Sequence, residues 1–277
     1  MVQQLQPAQK AQPTQPTPKK LNVTWEALPE DFVLPDEPVE NIQQPPLAAA
    51  LTDALGAAGG IEAQMLIGSN FGLVATVRNK TVIKAPDWFY VPQVNLVAPE
   101  VVRRSYTPNL QGEPVAVVME FLSETDCGEL SIRSTPPYGK LYFYEQILEV
   151  PTYITYDPQE MSLEVRILTE GSYVVQEADE NSRWWIPELE LFLGIWHGER
   201  LGQNINWLRW WDSEGNLLLW SSEQVEVEKA RAEEEKARAE QEKTRAEEEK
   251  ARAEQEKARA ELLAAKLREL GVDPGQL

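Results

Sequence analysis

The chain has 277 residues and a net charge of −19, divided as 14 basic against 29 acidic residues up to Ser222 and 12 against 16 from Glu223 onward. The acidity therefore sits mainly on the body. It excludes generic coating of a phosphate backbone, though not an enzyme that groups carboxylates around a divalent cation.

One cysteine, Cys127, excludes an intrachain disulfide framework and fits a reducing compartment. The start, Met1-Val2-Gln3-Gln4-Leu5-Gln6, lacks the charged-then-apolar pattern of a signal peptide. No run reaches the ~18 apolar residues of a membrane span, so a cytoplasmic protein is expected.

Residues 1–40 are a Gln/Pro-rich leader expected to be disordered, its first 20 residues being mostly Gln, Pro, Thr, Ala and Lys with almost nothing to bury. Its later part carries apolar anchors such as Trp25 and Phe32 and is expected to drape along the following domain. From Leu47 to Ala58, leucines at 47, 51 and 55 make a helical stripe, opened by Pro45-Pro46 and closed by Gly59-Gly60. The period then changes. Residues 61–67, 72–77 and 80–91 are β-branched and aromatic and read as a strand meander. The apolar run 114–122 has the length and continuity of a central strand covered on both faces.

Gly139 to Glu149 puts Leu141, Tyr144, Ile147 and Leu148 on one helical face and stops at Pro151. Strands are expected at 152–156, 161–168 and 172–176. The order helix, three strands, helix, strand is a mixed α/β core. Seven of the nine tryptophans lie between Trp184 and Trp220. They read as a β-hairpin closing over the core, or alternatively as a stacking platform for bases.

From Lys229 a strict seven-residue repeat begins, with lysines at 229, 236, 243, 250 and 257 each four residues before an acid. Alanine-rich spacing and these pairs predict one long exposed helix over 225–270, within a charged helix or coiled-coil tail at 223–277. Ala232, Ala239, Ala246, Ala253 and Ala260 form a thin apolar column, joined by Leu263, Leu267 and Leu270. Two outcomes stay open, a single solvated helix or self-association with a partner helix through the leucine-bearing end.

Several chemistries fall away. His197 is the sole histidine, which excludes His-rich zinc sites, and a Cys127–His197 dyad has nothing further to support it. Gly139-Lys140 ends like a phosphate loop but lacks its opening glycine and its Ser/Thr. What remains is Asp87 in Ala85-Pro86-Asp87, Glu120 closing the apolar strand, and Lys140 opening the next helix. Two carboxylates on neighbouring strands can share Mg²⁺, and a nearby ammonium can neutralise charge on a phosphate in transfer. On spacing alone, the three could equally be a turn residue, an edge residue and a surface lysine.

A Pro-Asp on a strand, an apolar strand ending Glu120-Phe121-Leu122-Ser123, a Gly-Lys-x-x-x-Tyr helix and a strand ending Asp157-Pro158 resemble the Uma-two family of restriction endonucleases, within the PD-(D/E)XK nuclease superfamily. The resemblance spans about residues 47–200. It implies a restriction-endonuclease-like α/β domain at 41–222, with Asp87 and Glu120 as ligands of Mg²⁺ (or Mn²⁺), DNA as substrate, and Lys140 as the catalytic lysine. The superfamily places that lysine two residues after the acid, where this chain has Leu122. Three functions remain in play: a metal-dependent DNA endonuclease, a catalytically inactive nuclease-fold module that oligomerises through its tail, and a purely structural coiled-coil adaptor.

Overall fold

In the computed structural model, which describes residues 21–27, 42–98, 100–122 and 130–269, the apolar run at 114–122 lies in the middle of a six-stranded sheet. The strands in chain order are β1 (Val23–Thr24), β2 (Leu66–Gly68), β3 (Leu73–Val77), β4 (Lys80–Lys84), β5 (Trp88–Val91), β6 (Val117–Phe121), β7 (Thr152–Asp157), β8 (Ser162–Thr169), β9 (Ser172–Val175), β10 (Arg183–Ile186), β11 (Leu191–Arg200) and β12 (Gln203–Trp211). The large sheet runs β2-β5-β6-β7-β8-β9. Only its β6–β7 pair is parallel, and the crossover between them carries the Gly139 helix. This is the mixed α/β architecture expected from the residues, restriction-endonuclease-like in its element order.

All five residues of β6 are buried, because both faces of the strand are covered. On one face Trp88 donates to Thr52 of α1 (Gln44–Ala57) at 3.0 Å and lies 6.1 Å from the Trp210 ring. On the other, Phe89, Val118 and Tyr153 pack with Phe143, Tyr144 and Ile147 from the helical segment Lys140–Ile147. A strand between two such layers has no polar face. That explains the run's lack of alternation.

The expected single strand at 80–91 is corrected to two strands, β4 and β5, in different sheets. Pro86 sits at the break: it has no N–H for a ladder, while its carbonyl accepts from Asn70 at 3.0 Å. β3 and β4 instead form a hairpin in a separate sheet, order β1-β3-β4. The β1 strand comes from within the 1–40 leader, and Leu21, Val23 and Trp25 pack on the core cluster. That stretch of the leader belongs to the folded body. Residues 1–20 and Phe32 lie outside the described residues, as does Cys127.

The tryptophans form more than a hairpin: β10, β11 and β12 make a three-stranded antiparallel sheet. Trp207 and Trp210 are fully buried, and the Trp210 indole donates to Leu51 of α1 at 3.2 Å. An Arg200–Asp53 ion pair at 2.8 Å ties the same sheet to α1. These two tryptophans belong to the core, as aromatic side chains with a satisfied N–H do.

The chain divides into two units, residues 1–218 and 219–277. The second is dominated by α3 (Ser221–Glu269), 49 residues and about 74 Å at 1.5 Å per residue. The repeat predicts lysine–acid pairs along this helix, and Lys243–Glu247 at 4.0 Å is one. Three more four-apart pairs use arginine instead, Arg231–Glu235, Arg238–Glu242 and Arg252–Glu256 at 3.7–3.9 Å. All are highly exposed, so helix propensity and their number matter more than any one pair. Leu263 is exposed, while the Leu267 side chain and Leu270 lie outside the described residues. No described helix is long and apolar enough to cross a membrane.

Candidate active site

The β5–β6 register builds the site. Trp88 pairs with Met119 and Phe89 with Val118, so Asp87, one residue before β5, falls opposite Glu120. Directly opposed residues of an antiparallel pair project to the same face. Here that is the face of Phe89 and Val118, toward the Lys140–Ile147 segment.

Asp87 has a backbone task as well. Its Oδ2 accepts the Phe121 N–H at 2.6 Å, so a side-chain carboxylate satisfies a strand N–H just beyond the last β5–β6 pair. The Phe121 carbonyl accepts from the Gln44 side chain at 2.8 Å. One residue after Glu120, the strand is thus held on both its polar groups by side chains from other elements.

Glu120 is fully buried. Its Oε1 accepts from the Tyr144 hydroxyl at 2.8 Å and its Oε2 from Lys140 Nζ at 3.2 Å. Burial pushes its carboxyl up to about 8; the Asp87 charge pushes the same way, and the Lys140 charge and the Tyr144 hydrogen bond pull it back. Burial beside Glu120 likewise holds the Tyr144 phenol well above its ordinary range, so it stays a donor.

Lys140 and Tyr144 are four residues apart on one helical turn, which lets both reach a single carboxylate. Helical geometry then changes: Phe143–Ile147 is π-helical, and Leu148 N–H reaches back to Phe143 C=O at 2.9 Å. Gly139 sets where the helix begins. A Cβ there would lie 2.0 Å from the Ser131 carbonyl oxygen, so backbone approach demands glycine although its φ of −68° suits any residue. The Gly-Lys pair that reads in the sequence like part of a phosphate loop is a packing requirement followed by a site residue.

All three expected site residues therefore meet: Asp87 opposite Glu120, and Lys140 on Glu120. Tyr144 and Gln44 join them. Tyr144 is the last position of Gly-Lys-x-x-x-Tyr, and its four-residue spacing from Lys140 is the signal for it. Nothing in Gln43-Gln44-Pro45-Pro46 marks Gln44, whose partner lies 77 residues away.

With this arrangement in view, comparison with known families is decisive. The family Uma2, described as "Putative restriction endonuclease", matches residues 33–201, more than half of the chain. The chain belongs to the Uma2 family. No curated protein matches it. The Uma2 region spans the six-stranded sheet, the β3–β4 hairpin and Asp87, Glu120 and Lys140, and ends one residue after β11. A nuclease is the function the family description gives.

Asp87 and Glu120 offer hard carboxylate oxygens, the donors Mg²⁺ and Mn²⁺ prefer. Among the described residues no third Asp, Glu, His or Cys joins them in a cluster. A Mg²⁺ ion tolerates this, because it commonly keeps several waters and takes phosphate oxygens alongside one or two carboxylates. A buried carboxylate facing a second one is also a place where a cation relieves two costs, desolvation and repulsion. The residues fit such an ion.

Proposed function

We propose that the chain is a Mg²⁺-dependent (or Mn²⁺-dependent) DNA endonuclease that hydrolyses phosphodiester bonds at Asp87, Glu120 and Lys140. The observation that carries this reading is a fully buried glutamate facing an aspartate across two strands and contacted by a lysine. Burying a carboxylate beside a second one is costly, and such sites are candidates for chemistry.

In this reading Asp87 and Glu120 would hold the ion, which when bound would supply Lewis acidity and make a water more acidic for attack at phosphorus. Asp87 is pre-aimed by the Phe121 N–H, and Glu120 by the Tyr144 hydroxyl. Lys140, the more exposed member at 16% of its side chain, donates to the phosphate and offsets the charge that builds there.

The test is nicking of supercoiled plasmid with Mg²⁺ or Mn²⁺, beside a chelator control. Asp87→Asn retains an acceptor for Phe121 N–H, so it and Glu120→Gln should abolish cleavage while the fold persists. Lys140→Ala should slow cleavage by about 10²–10³-fold yet leave metal affinity near the parent's. Parent-rate cleavage by the Asp87→Asn, Glu120→Gln double variant would defeat the assignment. Leu122, standing where the superfamily lysine would be, favours a second reading: an inactive nuclease-fold module. A parent chain that cleaves no DNA with either ion would establish that one.

A further inference from the structure

The body has 23 acidic and 11 basic residues between positions 41 and 222, and the basic ones are not spread evenly. Arg78, Lys80 and Lys84 line one cavity of about 380 Å³, between the β3–β4 hairpin and the segment Pro136–Tyr138. No acidic residue is among its lining residues. Among the described residues, none of these three cations forms a salt bridge, whereas Lys140, Arg166 and Arg200 each do.

The hairpin geometry explains how they gather. Lys80, Val82 and Lys84 alternate along β4 and so share one face, with the two lysine stems about 13 Å apart along the strand. Val82 packs on the core cluster and anchors that face. The turn between β3 and β4 has both central residues at positive φ, Arg78 at 51° and Asn79 at 61°, the signature of a two-residue type I′ hairpin. Asn suits that conformation. Arg does not, and holding a β-carbon-bearing side chain there costs about 1 kcal/mol, so the arginine is kept against local preference.

The opposite wall belongs to the segment that runs into the Lys140 helix. Tyr138 lines the cavity and is two residues before Lys140. It stacks on Tyr142, four residues further along the same segment, with ring centroids 5.9 Å apart. Arg133 donates to the Pro136 carbonyl at 3.0 Å and brings a further cation to that wall.

We propose that this groove binds the phosphate backbone of the DNA strand that enters the active site at Lys140, with Arg78, Lys80 and Lys84 contacting separate phosphates along it. It rests on the nuclease reading for the identity of the strand. An acidic body needs such a local inversion of charge to admit a polyanion, and unneutralised cations beside a catalytic lysine supply it.

The experiment measures fluorescence anisotropy of a labelled 20-base-pair duplex with full-length Glu120→Gln, which removes cleavage, over a series of salt concentrations. Adding Lys80→Ala and Lys84→Ala should weaken binding at least tenfold at low salt. It should also lower the slope of log affinity against log salt by about two, one for each lost phosphate contact. The same charge change on the tail, Lys229→Ala with Lys236→Ala, should leave the slope unchanged. If the double groove variant fails to fold, Lys80→Gln, exposed at the hairpin end, should lower the slope by about one. Unchanged affinity and slope in the groove variants overturn the proposal, as does a parent that binds no duplex. Groove-dependent binding by a chain whose parent form never cleaves would defeat the nuclease reading alone; parent cleavage with unchanged groove-variant binding would defeat the groove alone.

Discussion

The Tyr144 hydroxyl lies 2.8 Å from Glu120 Oε1, and both side chains are fully buried. A neutral phenol in that position stabilises the carboxylate form without adding charge. Tyr144→Phe should therefore raise the Glu120 pKa further, because the lost hydrogen bond is one of the interactions that hold it down. The alkaline shift is read from the pH–rate profile of metal-dependent cleavage, and the lost buried hydrogen bond should cost about 1–3 kcal/mol by denaturant unfolding. A profile that stays in place would separate Tyr144 from the ionisation of the site.

Glu120 also makes stability depend on pH. Its carboxyl lies near the ordinary 4.5 when unfolded and near 8 when folded, so the folded state holds the proton more tightly. The resulting stabilisation is fully present below about 4.5 and is lost as pH rises through about 8. Metal-free parent should lose stability relative to Glu120→Gln across that window, by an amount on the order of a few kcal/mol. Mg²⁺ should bind more tightly as pH rises through the same window, because it displaces the proton. Parallel stability curves for parent and Glu120→Gln would show that Glu120 ionises normally.

Gly139→Ala places a methyl 2.0 Å from the Ser131 carbonyl oxygen, an overlap that only backbone movement relieves. The substitution should cost about 1–3 kcal/mol and displace Lys140, so cleavage should fall more steeply than the melting temperature. Full activity with an unchanged melting temperature would mean that the Ser131 segment yields freely.

The tail should set the oligomeric state through the leucine-bearing end of its repeat. Light scattering on the full chain and on a chain ending at Ser222 compares their masses. Equal, monomeric masses would leave α3 a solitary charged rod.

Much of this was legible in the residues, for identifiable reasons. The β6 strand announced itself because burial on both faces removes polar alternation, and α3 because a seven-residue repeat leaves little choice. Asp87, Glu120 and Lys140 could be read because each stands at an element boundary that punctuation marks: Pro86, the end of an apolar run, and Gly139. The split at Pro86 was harder. β4 and β5 both carry the β-branched or aromatic residues of a strand, and pairing to different sheets is what separates them. Gln44 and β1 were hidden because their partners are 77 and 54 residues away, beyond any local pattern. In the tail, the sequence offered lysine and arginine columns alike, and side-chain geometry gave three of the four observed pairs to arginine.

The hydrogen bond from Phe121 N–H to Asp87 gives the two acids different fates over evolutionary time. A descendant that abandoned cleavage would still gain from an acceptor at Asp87, since the sheet end depends on it. Glu120 serves only the side chains of Tyr144 and Lys140, not the sheet backbone, so drift to glutamine, which keeps an acceptor for Tyr144, should improve stability once the chemistry is no longer selected. Under the proposed function, the residue at the Glu120 position should therefore be the sharper marker of a working enzyme among Uma2 relatives, and an aspartate at the Asp87 position without its glutamate should mark a retired one.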